Sequence, residues 1–243
     1  MDGFGAAGVG VADQMPPASV TVVVPCFEQA QYLTACLESV RAQTLQPGEV
    51  IVVDDGSRLE HSEEIQQIAR IHNCGYVRVT NRHLAAARNT GLMLAEEDAF
   101  LPLDADDTIE PTFIEKTYRL LSNHDVVCVG LQEHGERNGC YNPGFDIPLE
   151  EVTEERMWEM NRLFYCCLFN TELLRKCGGY NPRMVHGWED YDLHLDLIRR
   201  GARYTAVNEP LFNYRTSNDG MMAAAARDHR AWNIAEMRRH HLG

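Results

Sequence analysis

Between Ser19 and Gly130, short runs rich in β-branched residues alternate with longer amphipathic segments. Val20–Val24 reads VTVVV, and Gln29–Gln43 follows with Tyr32, Leu33, Cys36, Leu37 and Val40 at helical spacing. Val50–Val53 precedes a helical Ser62–Ile71, and Tyr76–Val79 precedes the alanine-rich Leu84–Ala95. Ala99–Leu103 is a fourth strand, and Pro111 fits the first turn of a helix carrying Phe113, Ile114, Tyr118 and Leu121. Val126–Gly130 is a fifth strand. Four consecutive strand–helix units imply right-handed crossovers. The expected fold is therefore α/β, a mainly parallel central sheet with helices on both faces. Ligands of such sheets sit beyond the carboxyl ends of the strands. Three polar motifs stand at those ends: PCFE (Pro25–Glu28), DDGS (Asp54–Ser57) and DADD (Asp104–Asp107).

Charge narrows the ligand. The 243 residues include 22 basic and 36 acidic side chains, a net charge of −14. Nucleic-acid binding, which draws its affinity from Lys and Arg on phosphates, is not expected. A small phosphate-bearing ligand is compatible if a metal cation mediates. Eight cysteines, with no CxxC pair, read as reduced, mostly buried thiols of a cytoplasmic protein. No apolar run approaches the roughly 18 residues of a membrane span, which leaves peripheral association as the only membrane contact expected. Residues 1–18 lack a basic n-region and read as a flexible tail.

Beyond residue 135 the pattern loosens. Gly135–Pro148 reads as a loop, Glu150–Leu163 as a helix, Phe164–Phe169 as a strand and Thr171–Cys177 as a helix stopped by Gly178-Gly179. Trp188–Arg200 is amphipathic, Tyr204–Val207 and Leu211–Tyr214 are strands, and Ala223–Leu242 is a basic helix. The expected organisation is a tail (1–18), a regular strand–helix half (19–130), a less regular second half of the same domain (131–222) and a C-terminal helix or tail (223–243).

DADD admits three readings. As a calcium loop it aligns Asp104, Asp106 and Glu115 with positions 1, 3 and 12, but Ile109 stands where that loop requires glycine. As a helix cap it suits Asp107 or Thr108. Asp104 and Asp106 together suit a hard divalent cation that also touches phosphate oxygens. DDGS is either a strand-to-loop turn or an acceptor for a base N–H or a ribose hydroxyl. Phe27 is either core or a surface for a base to stack on. Glu189-Asp190 either favours a helix dipole or supplies a general base. His240-His241 read as part of a solvated tail.

The segments VTVVVPCFEQAQYLTACLESVRAQT, VIVVDDGS, NRHLAAARNTGL, FLPLDADD and GWEDYDLHLDLIRRG occur in the order and at the intervals found in family 2 glycosyltransferases. Over Val20–Tyr214 the chain resembles those inverting, nucleotide-sugar-dependent enzymes of the GT-A fold. The resemblance implies transfer of a hexosyl or N-acetylhexosaminyl group, commonly from a UDP-sugar, to a saccharide, lipid-linked or other hydroxyl acceptor. It implies Phe27 against the nucleobase, with Pro25 and Glu28 at the same pocket, and Asp55, with Asp54, at base or ribose. It implies Arg88 and Asn89 shaping the nucleotide pocket, and Asp104 on ribose or metal. Asp106 would hold a Mn²⁺ or Mg²⁺ ion, Asp190 would be the base, and Glu189 would orient the acceptor. His83 stands where the family often has glycine and is within reach of the base edge. Arg58–His61 replaces a commoner Thr-Asp-Gly-Thr, and Ser217 takes the place of a histidine that contacts metal or diphosphate.

Overall fold

The valine run of β1 (Ala18–Cys26) is buried because this strand lies inside a nine-stranded sheet with neighbours on both edges. The computed structural model describes residues 17–145, 147–217 and 227–242. β1 pairs in parallel with β2 (Pro47–Asp54) and β4 (Ala99–Pro102), and β2 pairs in parallel with β3 (Gly75–Arg78). Past β4 the order is β8 (Leu168–Asn170), β6 (Val126–Gly135), β9 (Tyr204–Thr216) and β5 (Thr108–Ile109), with β7 (Cys140–Tyr141) on β6. β8 runs antiparallel to both β4 and β6, so β6 keeps the direction of β4. β9 then pairs in parallel with β6. The mainly parallel α/β sheet expected from the strand–helix alternation is present.

Alternate residues of β1 feed two cores. Val20, Val22 and Val24 pack with Leu33 and Leu37 of α1 (Ala30–Arg41), Ile65 of α2 (Leu59–Ile71) and Phe113 of α4 (Phe113–Leu121). Val23 faces the opposite core with Ala85 and Leu92 of α3 (His83–Leu94), Leu174 of α6 (Thr171–Cys177) and Leu193 and Leu197 of α7 (Glu189–Arg199). Gly91 sets how closely α3 sits: a Cβ there would fall 2.2 Å from Cγ1 of Val23. Only glycine permits that contact. It presses α3 onto β1 with Arg88 close to the sheet.

Two departures from the expected elements precede residue 130: β5 is not among the expected strands, and Pro111 lies before Thr112, the residue flanking α4, rather than in its first turn. The others lie after it. The helix expected over Glu150–Leu163 is a 3-10 turn at Leu149–Glu151 followed by the short α5 (Glu154–Glu159). Thr153 is extended and caps α5 through its hydroxyl, so the helix restarts there. Of the strand expected at Phe164–Phe169 only its end forms β8. The two strands expected at Tyr204–Val207 and Leu211–Tyr214 are one, β9, with its register shifted opposite Gly130. A Cβ at Gly130 would meet the Glu209 carbonyl at 2.7 Å. Of the expected C-terminal helix, α8 (Arg230–Leu242) is present, and 223–226 lie outside the described residues. All eight cysteines are free thiols, and Cys140 is exposed. No helix among the described residues is long and apolar enough to cross a membrane.

α7 is buried on nearly every side, including Tyr191, Asp192, Leu193, His194, Leu195 and Leu197. His194 Nε2 donates to the Phe164 carbonyl at 3.1 Å, which leaves Nδ1 to accept from the Tyr204 hydroxyl at 3.0 Å. Burial pushes this imidazole down to about 4, from an ordinary 6.5. As pH falls through that window the unfolded chain takes the proton and the folded chain does not. Stability present above pH 6.5 is therefore lost toward pH 4, by about 3 kcal/mol at most. A His194→Gln variant, compared with wild type by urea unfolding at pH 7 and pH 4, is expected to lose less stability on acidification. An identical pH dependence would show that His194 does not set it.

Candidate active site

Strand register brings the three polar motifs to one edge. Pro25 lies opposite Val53, Cys26 opposite Asp54, and Val23 opposite Pro102. Phe27, the next residue, is 48% exposed immediately after a strand that is almost wholly buried. An open aromatic face at a strand end is a platform for a flat partner.

The flanking residues hold that platform. Glu28 accepts from the Arg58 backbone N–H at 2.6 Å and from its guanidinium at 2.7 and 2.9 Å. Arg58 thereby keeps the Glu28 carboxyl below the usual range. Asp55 accepts from the Arg82 N–H at 3.0 Å and ties DDGS to the start of α3, and burial pushes its carboxyl up. Gly56 lets these loops meet: its φ is +78°, and a Cβ would lie 2.5 Å from the Asn81 nitrogen. His83 is exposed beside them, with φ of 70°.

Two expected pocket residues are buried. Pro25 lies within β1, two residues before the exposed Phe27. Asp54 is fully buried and accepts from Ser57 N–H at 2.8 Å, Ser62 hydroxyl at 2.5 Å and Tyr76 hydroxyl at 2.9 Å. Its oxygens are taken by Ser57 of the loop, Ser62 of α2 and Tyr76 of β3, so Asp54 builds the turn, while Asp55 is tied to the start of α3.

Arg88 is the centre of the site. It is 1% exposed, and its guanidinium donates to Asp104 Oδ1 at 2.7 Å and to Glu189 Oε1 at 2.5 Å. The Tyr165 ring lies 4.6 Å and the Tyr180 ring 5.4 Å from its Cζ. Burial opposes the charge, but Asp104 and Glu189 raise the guanidinium well above its ordinary pKa. Asn89 fixes one wall: its side chain donates to the Tyr180 carbonyl at 2.7 Å and accepts from the Tyr180 N–H at 2.8 Å.

The three DADD acids separate by environment. Asp107, expected as a helix cap, accepts instead from the Tyr165 hydroxyl at 2.6 Å and from the Arg215 N–H at 2.7 Å. It is 1% exposed, and no side chain caps α4, whose flanking residue is Thr112. Asp107 therefore staples β9 to the strand end. Asp106 is partly exposed, and its carboxylate accepts from no other side chain among the described residues, although its carbonyl accepts from Arg215. Burial, then the charge of Asp104, pushes its carboxyl up to about 6. Two crowded carboxylates, one without a donor, suit a divalent cation that lets both ionise. Ser217, a hydroxyl residue exposed just after β9, lies two residues beyond Arg215, whose N–H donates to Asp107. These are hard oxygen donors, fitting Mg²⁺ or Mn²⁺ that keeps other positions for water and phosphate oxygens.

At the start of α7, Trp188 takes φ of 67° and turns the chain into Glu189 and Asp190. Glu189 is 4% exposed and committed to Arg88. It thereby helps to fix the position of the arginine. Asp190 is half-buried. Burial raises its carboxyl, with Arg88 opposing and Asp104 adding to the rise. Among the described residues no salt bridge is formed by Asp190, whereas Glu189 is paired with Arg88.

Three contributors carry no mark in the motifs. Tyr165 sits in the apolar run FYCCLF, which reads as core. Tyr180 follows a helix stop. Arg215 lies beside Ser217, and its Nε donates to the Asp106 carbonyl at 3.3 Å while its Cζ stacks 4.6 Å from the Tyr32 ring. An arginine two residues before the histidine-equivalent position was the available signal for the last.

Residues 21–178 match the family described as Glycosyl transferase family 2. The glycosyltransferase GlyG of Streptococcus pneumoniae is 32% identical over 223 residues, covering 84% of this chain and 72% of GlyG. GlyA of the same organism is 34% identical over 125 residues, half of this chain but 18% of GlyA. Among solved structures, S. aureus TarS 1–349 in complex with UDP-GlcNAc superposes with a TM-score of 0.70 at 22% identity, over 85% of this chain and 61% of that one. The mannosyltransferase PcManGT of Pyrobaculum calidifontis, in complex with GDP-Man and Mn²⁺, gives a TM-score of 0.65 at 21% identity, over 95% of this chain and 66% of that one. The present chain thus spans less than two thirds of TarS and a small part of GlyA. The family match covers well over half of the chain, strand order and structural neighbours agree with it, and the chain belongs to glycosyl transferase family 2 with the GT-A fold.

Proposed function

We propose that the protein transfers a sugar from a nucleoside-diphosphate sugar, with a UDP-sugar favoured, to an acceptor hydroxyl with inversion, using Asp190 as general base. The observation that carries this reading is the Arg88 bridge. One buried guanidinium links Asp104, at the diphosphate end, to Glu189, the chain neighbour of Asp190. Donor and base ends of the reaction are thereby held at a set separation.

Phe27 stacks on the base, and Asp55 accepts from base or ribose, with His83 beside them. Asp104 and Asp106 would hold Mn²⁺ or Mg²⁺, which when bound neutralises charge on the leaving diphosphate. Asp190 takes the acceptor proton as the hydroxyl oxygen attacks the anomeric carbon, and the bond from that carbon to the diphosphate breaks. A raised carboxyl pKa suits a base that must accept this proton near neutral pH. A single in-line displacement inverts the anomeric centre and needs no covalent nucleophile. The UDP-GlcNAc of the TarS complex and the GDP-Man and Mn²⁺ of the PcManGT complex support this donor class and a divalent cation.

Ser217 motivates a second reading, a nucleotide-sugar-binding protein with impaired turnover, because a hydroxyl is a weaker metal ligand than imidazole. Release of nucleoside diphosphate across a panel of donors, with Mn²⁺ and mixed hydroxyl acceptors, separates the two. The proposed activity predicts release with at least one donor. No release from any donor, with UDP still raising the melting temperature, would favour the binding protein.

Asp106→Asn is expected to abolish the gain in UDP affinity that Mn²⁺ gives, a loss of about tenfold or more by calorimetry. An unaltered metal dependence would remove Asp106 from the metal site. Asp190→Asn is expected to bind UDP normally while kcat falls by about 10²–10⁴-fold. In the wild type, kcat/KM should decline on acidification from a pH above the ordinary aspartate range, since the base must be ionised. Near-normal turnover by the variant would exclude Asp190 as the base.

A further inference from the structure

His240 and His241, expected in a solvated tail, converge instead on a buried acid. His240 Nδ1 lies 2.9 Å from Asp192 Oδ2, and His241 Nε2 lies 2.9 Å from Asp192 Oδ1. The Asp192 and His241 side chains are each 1% exposed, and that of His240 is 43% exposed. The three ligand atoms lie within 4.8 Å of one another, the one such group of three among the described residues.

We propose that Asp192, His240 and His241 form a second metal site, for a borderline cation of the Zn²⁺ class, which clamps α8 onto the first turn of α7. The ligand chemistry differs from that of the strand-end acids. Two imidazoles with one carboxylate suit Zn²⁺, Co²⁺ or Ni²⁺, whereas oxygen-only sites suit Mg²⁺ and Mn²⁺. The spacing fits as well. Atoms bound at ~2.05 Å from one ion lie ~2.9 Å apart at right angles and ~3.3 Å apart at tetrahedral angles. The two nitrogen–oxygen separations, each to a different oxygen of the Asp192 carboxylate, match the first value, as a carboxylate engaging the ion through both oxygens requires, and rotation of the half-exposed His240 ring closes the remaining gap.

In the metal-free arrangement each ring donates one N–H to the carboxylate. Binding replaces those two bonds with three bonds to the ion and releases the protons carried on the two ligating nitrogens. The exposed edge of His240 is the way in, and it leaves a coordination position for water. Arg239, the nearest arginine in sequence, is engaged with Glu236, and Arg199 donates to the His241 carbonyl rather than to its ring. Residues two apart on a helix point about 200° apart, so Asp192 faces away from the side of α7 that carries Asp190. The clamp is therefore separate from the cleft but anchors the same helical turn. It does not depend on the proposed transfer activity.

The test is a calorimetric titration of the full chain with ZnCl₂, without nucleotide, alongside thermal unfolding. The expected result is one Zn²⁺ per chain at micromolar affinity, a raised melting temperature, and no displacement by excess Mg²⁺. Asp106→Asn should retain this binding in full. His240→Gln, a change at a half-exposed position, should fold normally and bind Zn²⁺ at least about tenfold more weakly, and adding His241→Gln should remove the site. Cys140→Ser controls for the exposed thiol and should bind as wild type does. No Zn²⁺ binding by the wild type, equal binding by His240→Gln, or loss of binding in Cys140→Ser or Asp106→Asn would each overturn the proposal.

Discussion

A guanidinium removed from water at position 88 must be compensated or the fold loses several kilocalories per mole. Arg88 is compensated by Asp104, sixteen residues on, by Glu189, a hundred and one residues on, and by two tyrosine faces. Once Gly91 presses α3 onto β1, the guanidinium has few places to point, and DADD and the start of α7 must come to it. The relative positions of the DADD strand end, the start of α7 and Arg88 follow from satisfying one charge. Removing either carboxylate would leave a buried cation with half its partners, so this bridge is as much a structural element as a functional one.

The charge around that bridge does not balance. Asp104, Asp106, Asp107, Glu189 and Asp190 face Arg88 and Arg215. Asp107 is spent on the Tyr165 hydroxyl and the Arg215 N–H. Glu189 and one oxygen of Asp104 are spent on Arg88. What remains is Asp106, with its carboxyl pushed up to about 6, and the half-buried Asp190. In the proposed reaction a diphosphate would add more negative charge to this edge, and a divalent cation on Asp104 and Asp106 would offset it. In that proposed reaction Asp190 is the carboxylate that receives the proton.

Backbone strain collects around the cleft. Glu28, His83 and Trp188 all hold positive φ, which costs a non-glycine residue free energy and persists only when surroundings enforce it. Glu28 is enforced by Arg58, His83 by the Asp55 contact at the start of α3, and Trp188 by the turn into a buried helix. Arg58 belongs to the segment where this chain departs from the common family pattern, and that departure is what locks the first two loops together. α7 serves two faces at once: one presents Glu189 and Asp190, and another receives α8 through Asp192.

Local chemistry was enough to determine the first half of the molecule. Period-two valines, helical spacing and strand-end acids specify a parallel sheet and the edge where its motifs meet, because hydrophobic patterning and crossover handedness act over short stretches. After residue 130 the reading failed where pairing is non-local: Leu168–Asn170 is a strand because β4 and β6 flank it, and β9 is continuous because Gly130 admits a register shift. The roles within each motif were likewise beyond reach of sequence. Asp54 and Asp55 are adjacent and identical, as are Asp106 and Asp107, and only the donors that tertiary packing brings to each decide which builds a loop and which meets a ligand. His240 and His241 read as solvated until α8 folds back on Asp192, because burial depends on distant partners and not on neighbours in the chain.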